Sequence, residues 1–338
     1  MKSSRTFSAK WLSILAALPL TAAAQSSMKA IVINQSGGPE VLKYEDAPRP
    51  QPKGDEILIR IMAAAVNPVD VAIREGHFGG GGGFPFIPGM DVAGVVEQVG
   101  TKVTEFKKGD AVYAYLSFDE QGGYAEFAVT KESHVALKPK SIDFEHAAAV
   151  PLAATTAWQA LVEKAGLKSG QTVLIHGGSG GVGTFAVQIA KARGAKVIAT
   201  ASAANQDLLK ELGVDQPIDY TITRFENVVK DVDVVLNAVR GDSLARSYGV
   251  VKKGGIIVSI TGPPDPAELE KHGIRGTSFS AHPDAKILED LATLIDRKKI
   301  IPVVSAVLPL AEVAKAQEQI ASQHTRGKIV LKVAQAPK

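Results

Sequence analysis

Hydrophobic and polar positions follow two different patterns along the chain. From residue 28 to about residue 150, short apolar or alternating runs are separated by turns rich in Gly, Pro and Asp, which is typical of β-strands. The predicted strands are 30–33, 56–62, 92–96, 111–115 and 125–129. This region is therefore expected to form a small barrel-like β domain.

After residue 147 the pattern alternates between helical and strand-like segments. A helix is predicted over 147–164, with a break near Pro151. The strands that follow are predicted at 172–175, 196–200, 217–219, 232–237 and 256–260. Apolar strands that alternate with helices predict an α/β fold with a doubly wound parallel sheet.

The tail beyond residue 277 continues the alternation. Its predicted elements are helices at 285–297 and 310–321 and strands at 303–307 and 328–333. The last strand would most simply rejoin the first domain.

A glycine-rich turn links the strand 172–175 to the next helix. It contains Gly178-x-Gly180-x-x-Gly183, the spacing of a dinucleotide-binding fingerprint. In such a turn the first glycine permits a sharp bend, the second lets the backbone approach a pyrophosphate, and the third lets the helix lie close to the strand. The predicted cofactor-binding residues of the turn are Gly178, Ser179, Gly180, Gly181, Val182 and Gly183. The alternative is a structural turn that binds nothing.

The end of the second strand bears on which dinucleotide is bound. An NAD site usually has Asp or Glu there, which binds the ribose 2′-hydroxyl and repels a 2′-phosphate. This chain has Ala201 and Ser202 instead, so NADP(H) is favoured, with Ser202 and Asn205 as neutral donors. The nearest cations, Lys210 and Arg224, would have to reach in from elsewhere.

Composition and charge exclude several functions. The 338 residues are enough for two domains, and a net charge of +3 with 22% charged residues gives no basis for nucleic-acid binding. The chain has no cysteine, which excludes disulfides, cysteine-ligated zinc and thiol catalysis.

The first residues resemble a targeting segment. Basic residues precede an apolar run over 11–24 that ends in three alanines, which predicts a signal peptide at 1–24. The run is too short to span a bilayer, so we expect no stable membrane span after processing. Translation from Met1 would place the protein in the periplasm or outside the cell. Two alternatives are a retained helical anchor and a true start at Met28, which would leave the protein in the cytoplasm.

Several segments resemble landmarks of the medium-chain dehydrogenase/reductase superfamily. They are EILIR at 56–60, NPVD at 67–70, REG at 74–76, PGMDVAG at 88–94, KGD at 108–110, GGYAE at 122–126, PLAATTAW at 151–158, the turn at 176–183 and RGKIVL at 326–331. Within that superfamily, residues 28–333 are most similar to the zinc-free quinone oxidoreductases related to zeta-crystallin.

The resemblance implies a domain arrangement. A GroES-like β-barrel catalytic domain is expected at 28–148, a Rossmann NADP(H)-binding domain at 149–284, and a tail at 285–338 that completes the catalytic domain. The active cleft is expected between the two domains. The resemblance also implies a homodimer.

The same resemblance argues against a catalytic metal. Zinc alcohol dehydrogenases of the superfamily have cysteine at the position of Asn67 and a His-Glu pair at Met90-Asp91. A thioether cannot replace an imidazole ligand for Zn²⁺, and an amide is a poor one. Without a Lewis acid, hydride delivery to an electron-poor quinone or α,β-unsaturated carbonyl demands less of the protein than alcohol oxidation.

Asn67 is the predicted catalytic residue. In the family the equivalent asparagine lies beside the nicotinamide, where its amide can donate to a developing oxyanion. The alternative is an Asn-Pro turn whose side chain bonds to its own backbone. One helical turn on, Asp70 and Arg74 are expected to form an ion pair that shapes the same wall.

Further contacts are implied by the resemblance. Thr156, at the start of a helix, and Ser259, at the end of a strand, are expected near the nicotinamide, and Tyr220 near the adenine. Asn237 is expected near the ribose. Phe279 is a candidate for the acceptor pocket, and Lys328 for the edge of the cofactor.

The glycine run at 79–83 has two interpretations. It is either a lid over apolar substrates or a mobile insertion without function. The preceding residues, His77 and Phe78, replace a tyrosine that related quinone reductases often carry, so no tyrosyl acid is expected there.

The predicted function is a zinc-independent, NADPH-dependent oxidoreductase that transfers hydride to a quinone or an α,β-unsaturated carbonyl. One alternative is an enal or enone reductase with little quinone activity. Another is a non-catalytic NADPH-binding protein.

Overall fold

The computed structural model describes residues 26–77, 83–120, 122–322 and 324–334. The predicted signal peptide at 1–24 and the glycines at 79–82 lie outside the described residues. Within the described ranges, no helix is both long enough and apolar enough to cross a membrane.

The first part of the chain is built mainly from β-strands. In order it forms β1 (Ser27–Val32), β2 (Lys43–Pro48), β3 (Glu56–Val66), α1 (Pro68–Arg74), β4 (Asp91–Val99), β5 (Ala111–Tyr115), β6 (Phe127–Lys131) and β7 (Val135–Leu137). Two short helices follow, α2 (Phe144–Ala148) and α3 (Pro151–Trp158), and a single π-helical segment continues α3 over Gln159–Lys164. The break predicted near Pro151 is therefore present, because proline at the first helical position starts a new helix.

The middle of the chain alternates as the pattern predicts. It forms β8 (Thr172–His176), α4 (Gly181–Ala192), β9 (Lys196–Ala201), α5 (Gln206–Glu211), β10 (Gln216–Asp219), β11 (Val232–Asn237), α6 (Ser243–Ser247), β12 (Val251–Ser259), α7 (Pro266–His272) and β13 (Arg275–Ser278). Six of these strands form one parallel sheet in the order β10-β9-β8-β11-β12-β13 within the described residues. The order reverses between β8 and β11, which is the switch point where doubly wound sheets bind their ligands.

The tail returns to the first domain. It forms α8 (Ala285–Asp296), β14 (Val304–Pro309), α9 (Val313–Ala321) and β15 (Lys328–Lys332). Strand β15 pairs with β14 and lies antiparallel to β3, so the described strands of the second sheet run β14-β15-β3-β4-β5-β7, with β6 also pairing to β3. The prediction that the last strand rejoins the first domain is confirmed.

One hydrophobic core joins the two sheets. Ala63 and Ala93 of the barrel belong to the same buried cluster as Val173 and Ile175 of the parallel sheet. Alanines of α2 and α3 fill the space between them, and small side chains allow close approach of helix and sheet. The two domains are thus packed together through one shared core.

Candidate active site

The glycine turn has the geometry of a phosphate cradle. A Cβ on Gly183 would lie 2.0 Å from the carbonyl oxygen of Gly177, so only glycine lets α4 lie this close to the turn. The backbone N–H of Gly178 donates to the Thr200 carbonyl at 2.9 Å and ties the turn to β9. The sharp bend falls at Gly177, whose φ is +77°, and not at Gly178 as the fingerprint spacing predicts.

The start of α4 leaves room for an anion. A Cβ on Gly180 would have its nearest neighbour 3.5 Å away, so the backbone is open to a ligand there. The N–H groups of the first helical turn have no partner within the helix and point outward at its positive end. The arrangement fits the pyrophosphate of a dinucleotide, which the turn at Gly178 to Gly183 would hold through backbone N–H groups.

The turn also contacts the tail of the catalytic domain. Gly327 donates its N–H to the Ser179 carbonyl at 2.8 Å, and Gly180 and Gly327 form a parallel β-bridge. A Cβ on Gly181 would lie 3.2 Å from Cδ of Lys328. Lys328 is therefore in direct contact with the predicted phosphate site.

At its other end, Lys328 enters a buried polar cluster. Its ammonium donates to Oδ1 of Asn67, to Oδ2 of Asp91 at 3.1 Å and to the Val66 carbonyl at 3.2 Å. The amide nitrogen of Asn67 donates to Oδ2 of Asp91 at 2.9 Å. All three side chains are buried. A buried ion pair is tolerable only when hydrogen bonds satisfy both charges, as they do here.

The chemistry of its partners fixes the orientation of Asn67. An ammonium only donates, so it must face the amide oxygen, and a carboxylate only accepts, so it must face the amide nitrogen. Both partners of the side chain, Lys328 and Asp91, are distant in sequence, so Asn67 does more than close a local Asn-Pro turn. Asp91 takes one of the two amide hydrogens, and the second remains for a ligand as far as the described residues show.

Asp70 and Arg74 do not form the expected ion pair. Oδ2 of Asp70 accepts from the Asn67 N–H at 2.8 Å and from the Tyr124 hydroxyl at 2.6 Å. Arg74 instead donates to Gln317 at 2.8 Å and to Glu75 at 2.7 Å. A spacing of four residues allows an ion pair along a helix. Here, however, the Asp70 side chain faces the interior and caps the start of α1 by accepting from the backbone N–H of Asn67.

Burial raises the pKa of the Asp70 carboxyl from 3.8 to about 7, with the neighbouring Asp91 charge adding to the rise. The unfolded chain loses this proton near pH 4 and the folded chain keeps it until about pH 7. Unfolding therefore releases a proton between these values, and stability falls as pH rises through that window.

Replacing Asp70 with asparagine removes this titration and keeps an oxygen that accepts from Asn67 and Tyr124. From pH 5 to pH 8 the free energy of unfolding of the unmodified protein should fall by roughly 2–3 kcal/mol more than that of the variant. Urea denaturation at the two pH values measures the difference. Asp207→Asn, at an exposed carboxyl, is the control and should show no such gain. Equal pH dependence in Asp70→Asn and the unmodified protein would show that Asp70 is ionised when buried.

The residues predicted around the adenine lie at the carboxyl ends of β9 and β10. Oγ of Ser202 accepts from Asn205 Nδ2 at 3.3 Å, and the Tyr220 side chain is 53% exposed. Lys210 is paired with Asp207 at 3.0 Å, and Arg224 is paired with a neighbouring glutamate. Both cations thus have carboxylate partners, and the contact of Ser202 and Asn205 with a 2′-phosphate stays a prediction.

Asn237 and Ser259 end the two strands on the other side of the switch point. Both are buried. Nδ2 of Asn237 donates to Thr261 Oγ1 at 2.9 Å and to the Val239 carbonyl at 3.0 Å, and its Oδ1 accepts from Ser243 at 2.9 Å. In this state the Asn237 side chain holds the loop after β11, and its expected ribose contact stays a prediction.

Thr156 lies in the middle of α3 and not at its start. Its hydroxyl donates to the Leu152 carbonyl at 2.7 Å, and the Leu152 N–H donates to Oδ1 of Asp91 at 2.6 Å. The first turn of α3 thereby holds Asp91 in place. His176 is packed between Thr200 and Ser247, and burial lowers its pKa to about 4, so it stays neutral.

A buried hydrophobic cluster that the sequence did not predict borders the polar cluster. Tyr115 is directly opposite Asp91 on the neighbouring strand, and Met90 precedes Asp91. We call it the Tyr115 cluster; it consists of the buried residues Ile73, Met90 and Tyr115, with Val69, Phe86, Phe118, Leu152 and Ala281 packed against them. Phe279, the sequence candidate for the acceptor pocket, packs instead against the core between the domains, with the Lys164 ammonium 5.7 Å from its ring.

Comparison with known proteins identifies the family. Two family models match, Alcohol dehydrogenase GroES-like domain over residues 53–140 and Zinc-binding dehydrogenase over residues 212–331. The NADPH-dependent alkenal/one oxidoreductase of Arabidopsis thaliana is 38% identical over 96% of this chain and 85% of its own length. The quinone oxidoreductase of Mus musculus is 34% identical over 88% of this chain and 96% of its own. The chain belongs to the quinone oxidoreductase family of the medium-chain dehydrogenase/reductase superfamily.

Solved structures of quinone oxidoreductases share the whole fold. The enzyme from Coxiella burnetii is 34% identical, with a TM-score of 0.84 over 91% of this chain and 100% of its own. A mycobacterial protein solved in complex with NADPH is 31% identical, with a TM-score of 0.82 over the same shares. The Rossmann and GroES-like architecture expected from the sequence is confirmed.

One of the matching family models is described as a zinc-binding dehydrogenase, which raises the question whether this chain has side chains that could ligate zinc. In the described part of the chain, no three His, Cys, Asp or Glu side chains come close enough together to hold a metal ion. The position between Asn67 and Asp91 is taken by the ammonium of Lys328.

Proposed function

We propose that this quinone oxidoreductase family member is an NADPH-dependent reductase of quinones or α,β-unsaturated carbonyls that works without zinc. One observation carries the proposal. Lys328 contacts the glycine turn at Gly181 and also fixes the amide of Asn67, so a cofactor on the turn and an acceptor at Asn67 would be held side by side.

The chemistry needs two electrons and a proton. When bound, the nicotinamide supplies the hydride. The β-carbon of an enone accepts it, the electron pair of the C=C bond moves to the carbonyl oxygen, and water returns a proton to the α-carbon. A quinone accepts the same hydride and one proton to give the hydroquinone.

The protein's own part is orientation and charge stabilisation. The free amide hydrogen of Asn67 donates to the oxygen on which negative charge develops. Lys328 and Asp91 prevent the amide from flipping, and Leu152 holds Asp91. Because the acceptor is already electron-poor, one positioned donor replaces the Lewis acid that alcohol oxidation requires.

Zinc independence is supported by this donor set. Asn67 and Met90 offer an amide and a thioether, and Lys328 places its ammonium 3.1 Å from Oδ2 of Asp91. A divalent cation at the same point would be repelled by that ammonium. Turnover that is unchanged after dialysis against a strong chelator is the expected result.

Replacing Ser202 with aspartate tests the preference for NADPH. The new carboxylate at the end of β9 would repel a 2′-phosphate and accept from a 2′-hydroxyl. The ratio of kcat/KM for NADPH to that for NADH should fall at least about tenfold, as measured by steady-state kinetics with each cofactor. Asp55→Asn, an exposed change in the barrel domain, should leave the ratio unaltered. An unchanged ratio in Ser202→Asp would place the 2′-phosphate elsewhere.

The remaining alternative is an NADPH-binding protein without catalysis. The presence of Asn67 and the intact turn favours an enzyme. NADPH fluorescence measured with and without acceptor separates the two. The proposal requires binding followed by oxidation of NADPH when an enone or a quinone is added. Binding with no oxidation across a broad panel of acceptors would establish the alternative.

We further propose export through the segment 1–24 and assembly as a homodimer. Met28 is buried in the sheet formed by β1 and β2, so processing near residue 25 leaves that sheet whole. Mass spectrometry of the native protein identifies its first residue, and this distinguishes export from a cytoplasmic protein that starts at Met28. Light scattering tests the dimer, which rests on the family resemblance.

A further inference from the structure

The loop between β13 and α8, residues 279–284, is held from both domains. On the barrel side, the Tyr115 hydroxyl donates to the Ala281 carbonyl at 3.0 Å. Burial, followed by the charge of Asp91, raises the pKa of Tyr115, so the hydroxyl stays protonated and keeps donating. On the Rossmann side, the loop meets the buried side chain of Gln159, the first residue of the π-helical segment. π-Helical turns are frequent at functional sites.

Gln159 clamps a single residue of this loop. Its Nε2 donates to the His282 carbonyl at 3.1 Å, and its Oε1 accepts from the His282 N–H at 3.2 Å. Its Nε2 also lies 3.2 Å from Nε2 of the His282 ring. These contacts use both amide hydrogens and the amide oxygen of Gln159, so the buried amide is fully satisfied by His282.

The backbone of His282 fixes the protonation state that the clamp requires. A carbonyl only accepts and an N–H only donates, so the Gln159 amide cannot flip without losing both backbone bonds. Its NH2 group therefore faces the ring nitrogen, and Nε2 of His282 must accept. The clamped ring is neutral, with its proton on Nδ1. An imidazolium carries N–H groups at both nitrogens and would set one of them against the Gln159 donor.

The clamp is connected to the polar cluster by short steps. Ala281 precedes His282 and binds Tyr115, and Tyr115 lies directly opposite Asp91 in the register of β4 and β5. Asp91 in turn accepts from the amide of Asn67 at 2.9 Å. A shift of the loop would therefore be passed to the strands that position Asn67, and a misplacement of about 1 Å can lower a rate about 100-fold.

We propose that Gln159 is a positioning residue for hydride transfer, which holds the loop 279–284 while His282 is neutral and releases it when His282 is protonated. The clamp is then present at high pH and is lost as pH falls through the range in which histidines titrate, about pH 8 to 5. The inference rests on the proposed function.

The charged groups on the surrounding elements have other positions or partners. Asp284, on the same loop, caps α8 by accepting from the Ile287 N–H at 3.1 Å. On the π-helical segment, Glu163 is exposed and the Lys164 ammonium lies over the Phe279 ring. Strand β5 carries no charged side chain. Among the described hydrogen bonds, the His282 ring bonds only to Gln159.

The pH profile of hydride transfer tests the proposal. Stopped flow follows the oxidation of bound NADPH by 4-phenylbut-3-en-2-one between about pH 5.5 and pH 8, in variants that all retain the titrating Asp70. Over this range the rate of the unmodified protein should fall about tenfold more than that of His282→Gln, which cannot take up a proton. His146→Gln, which removes an exposed histidine paired with Asp143, should keep the profile of the unmodified protein.

Variants of Gln159 distinguish positioning from a purely structural role. Gln159→Leu loses the clamp, and its rate at pH 8 should fall about 10- to 100-fold. The Kd of NADPH should change much less, because among the described contacts Gln159 does not touch the glycine turn. Gln159→Glu still accepts from the His282 N–H and can pair with the imidazolium, so its rate should rise as pH falls, the reverse of the unmodified protein.

A measurement on the ring needs no turnover. Nitrogen NMR of histidine-labelled protein should place the proton of His282 on Nδ1 at pH 8, with the signals assigned by their absence in His282→Gln. This result and the His282→Gln profile decide the matter if Gln159→Leu does not fold. A proton on Nε2 would overturn the clamp.

The outcomes separate this inference from the proposed function. A protein that oxidises NADPH with neither enones nor quinones refutes the proposed function, and the NMR result still tests the clamp. An active protein in which His282→Gln keeps the pH profile of the unmodified protein refutes only the role of Gln159. A Gln159→Glu rate that falls at acid pH in parallel with the unmodified protein does the same.

Discussion

Lys328→Met is expected to lower the free energy of unfolding by about 3–5 kcal/mol, because it leaves the Asp91 carboxylate buried without its cationic partner. Asn67 also loses the group that holds its amide oxygen, so kcat with an enone should fall as well. Urea denaturation followed by circular dichroism measures the first effect, and steady-state kinetics measures the second. Both effects have one cause, which is the loss of the charge that holds the cluster together.

Two further variants make this expectation specific. Lys332→Met removes a lysine on the same strand whose ion pair with Glu145 is exposed, and it should cost at most about 1 kcal/mol. The double variant Asp91→Asn with Lys328→Met should recover part of the lost stability, because no buried charge then stays unpaired. A cost for Lys328→Met equal to that for Lys332→Met would contradict the buried ion pair.

Asn67→Ala is expected to reduce kcat about 100- to 1000-fold with either class of acceptor, since it removes the donor to the developing oxyanion. The Kd of NADPH should change much less than kcat, because the glycine turn that would hold the pyrophosphate is contacted by Lys328 at Gly181 and not by Asn67 among the described contacts. Stopped-flow measurement of NADPH oxidation gives the rate of hydride transfer, and fluorescence titration gives the Kd.

Asn227→Ala serves as the matched control, because this asparagine is exposed and lies in a short turn of the Rossmann domain between β10 and β11. It should leave both the rate and the Kd as they are. If Asn67→Ala transferred hydride as fast as Asn227→Ala, the oxyanion would have to be stabilised by another group, and the proposed role of Asn67 would be wrong.

The parallel sheet was predictable from the sequence because its signals are local. Strands buried on both faces are apolar throughout, and the turn between β8 and α4 needs glycine for steric reasons visible in its spacing. The elements that escaped prediction lack such signals. In β2 only Ala47 is buried, so no alternation marks the strand, and the edge strand β13 has no buried residue.

The site was predictable only in part, because its partners come from distant segments. The fingerprint and the resemblance placed Asn67 and Lys328 in the site separately. Their mutual bond joins residues 261 positions apart, and no local pattern encodes it. The predicted ion pair of Asp70 with Arg74 is wrong although a local pattern suggested it. Helical spacing permits the pair, but the buried Asp70 side chain bonds to Tyr124 and to the backbone of Asn67 instead.

The Tyr115 cluster shows what the fold adds to the sequence. In the sequence, nothing distinguishes Met90 and Tyr115 from other apolar residues of strands or loops. Only the register of β4 and β5 shows that Tyr115 lies opposite Asp91. Leu152 and Ala281 then join them from the Rossmann side. This cluster therefore depends on tertiary packing between the two domains, which a resemblance in short segments does not specify.

Transfer of a labelled hydride tests the central claim most directly. Protein treated with a metal chelator is mixed with NADPH that carries deuterium at the transferable C4 position, and the reduced enone is analysed by mass spectrometry. If the cofactor is held beside Asn67 and no zinc takes part, the product should contain one deuterium at its β-carbon. The rate should equal that of protein not treated with the chelator. A product without deuterium, or a reaction that requires added zinc, would contradict the account.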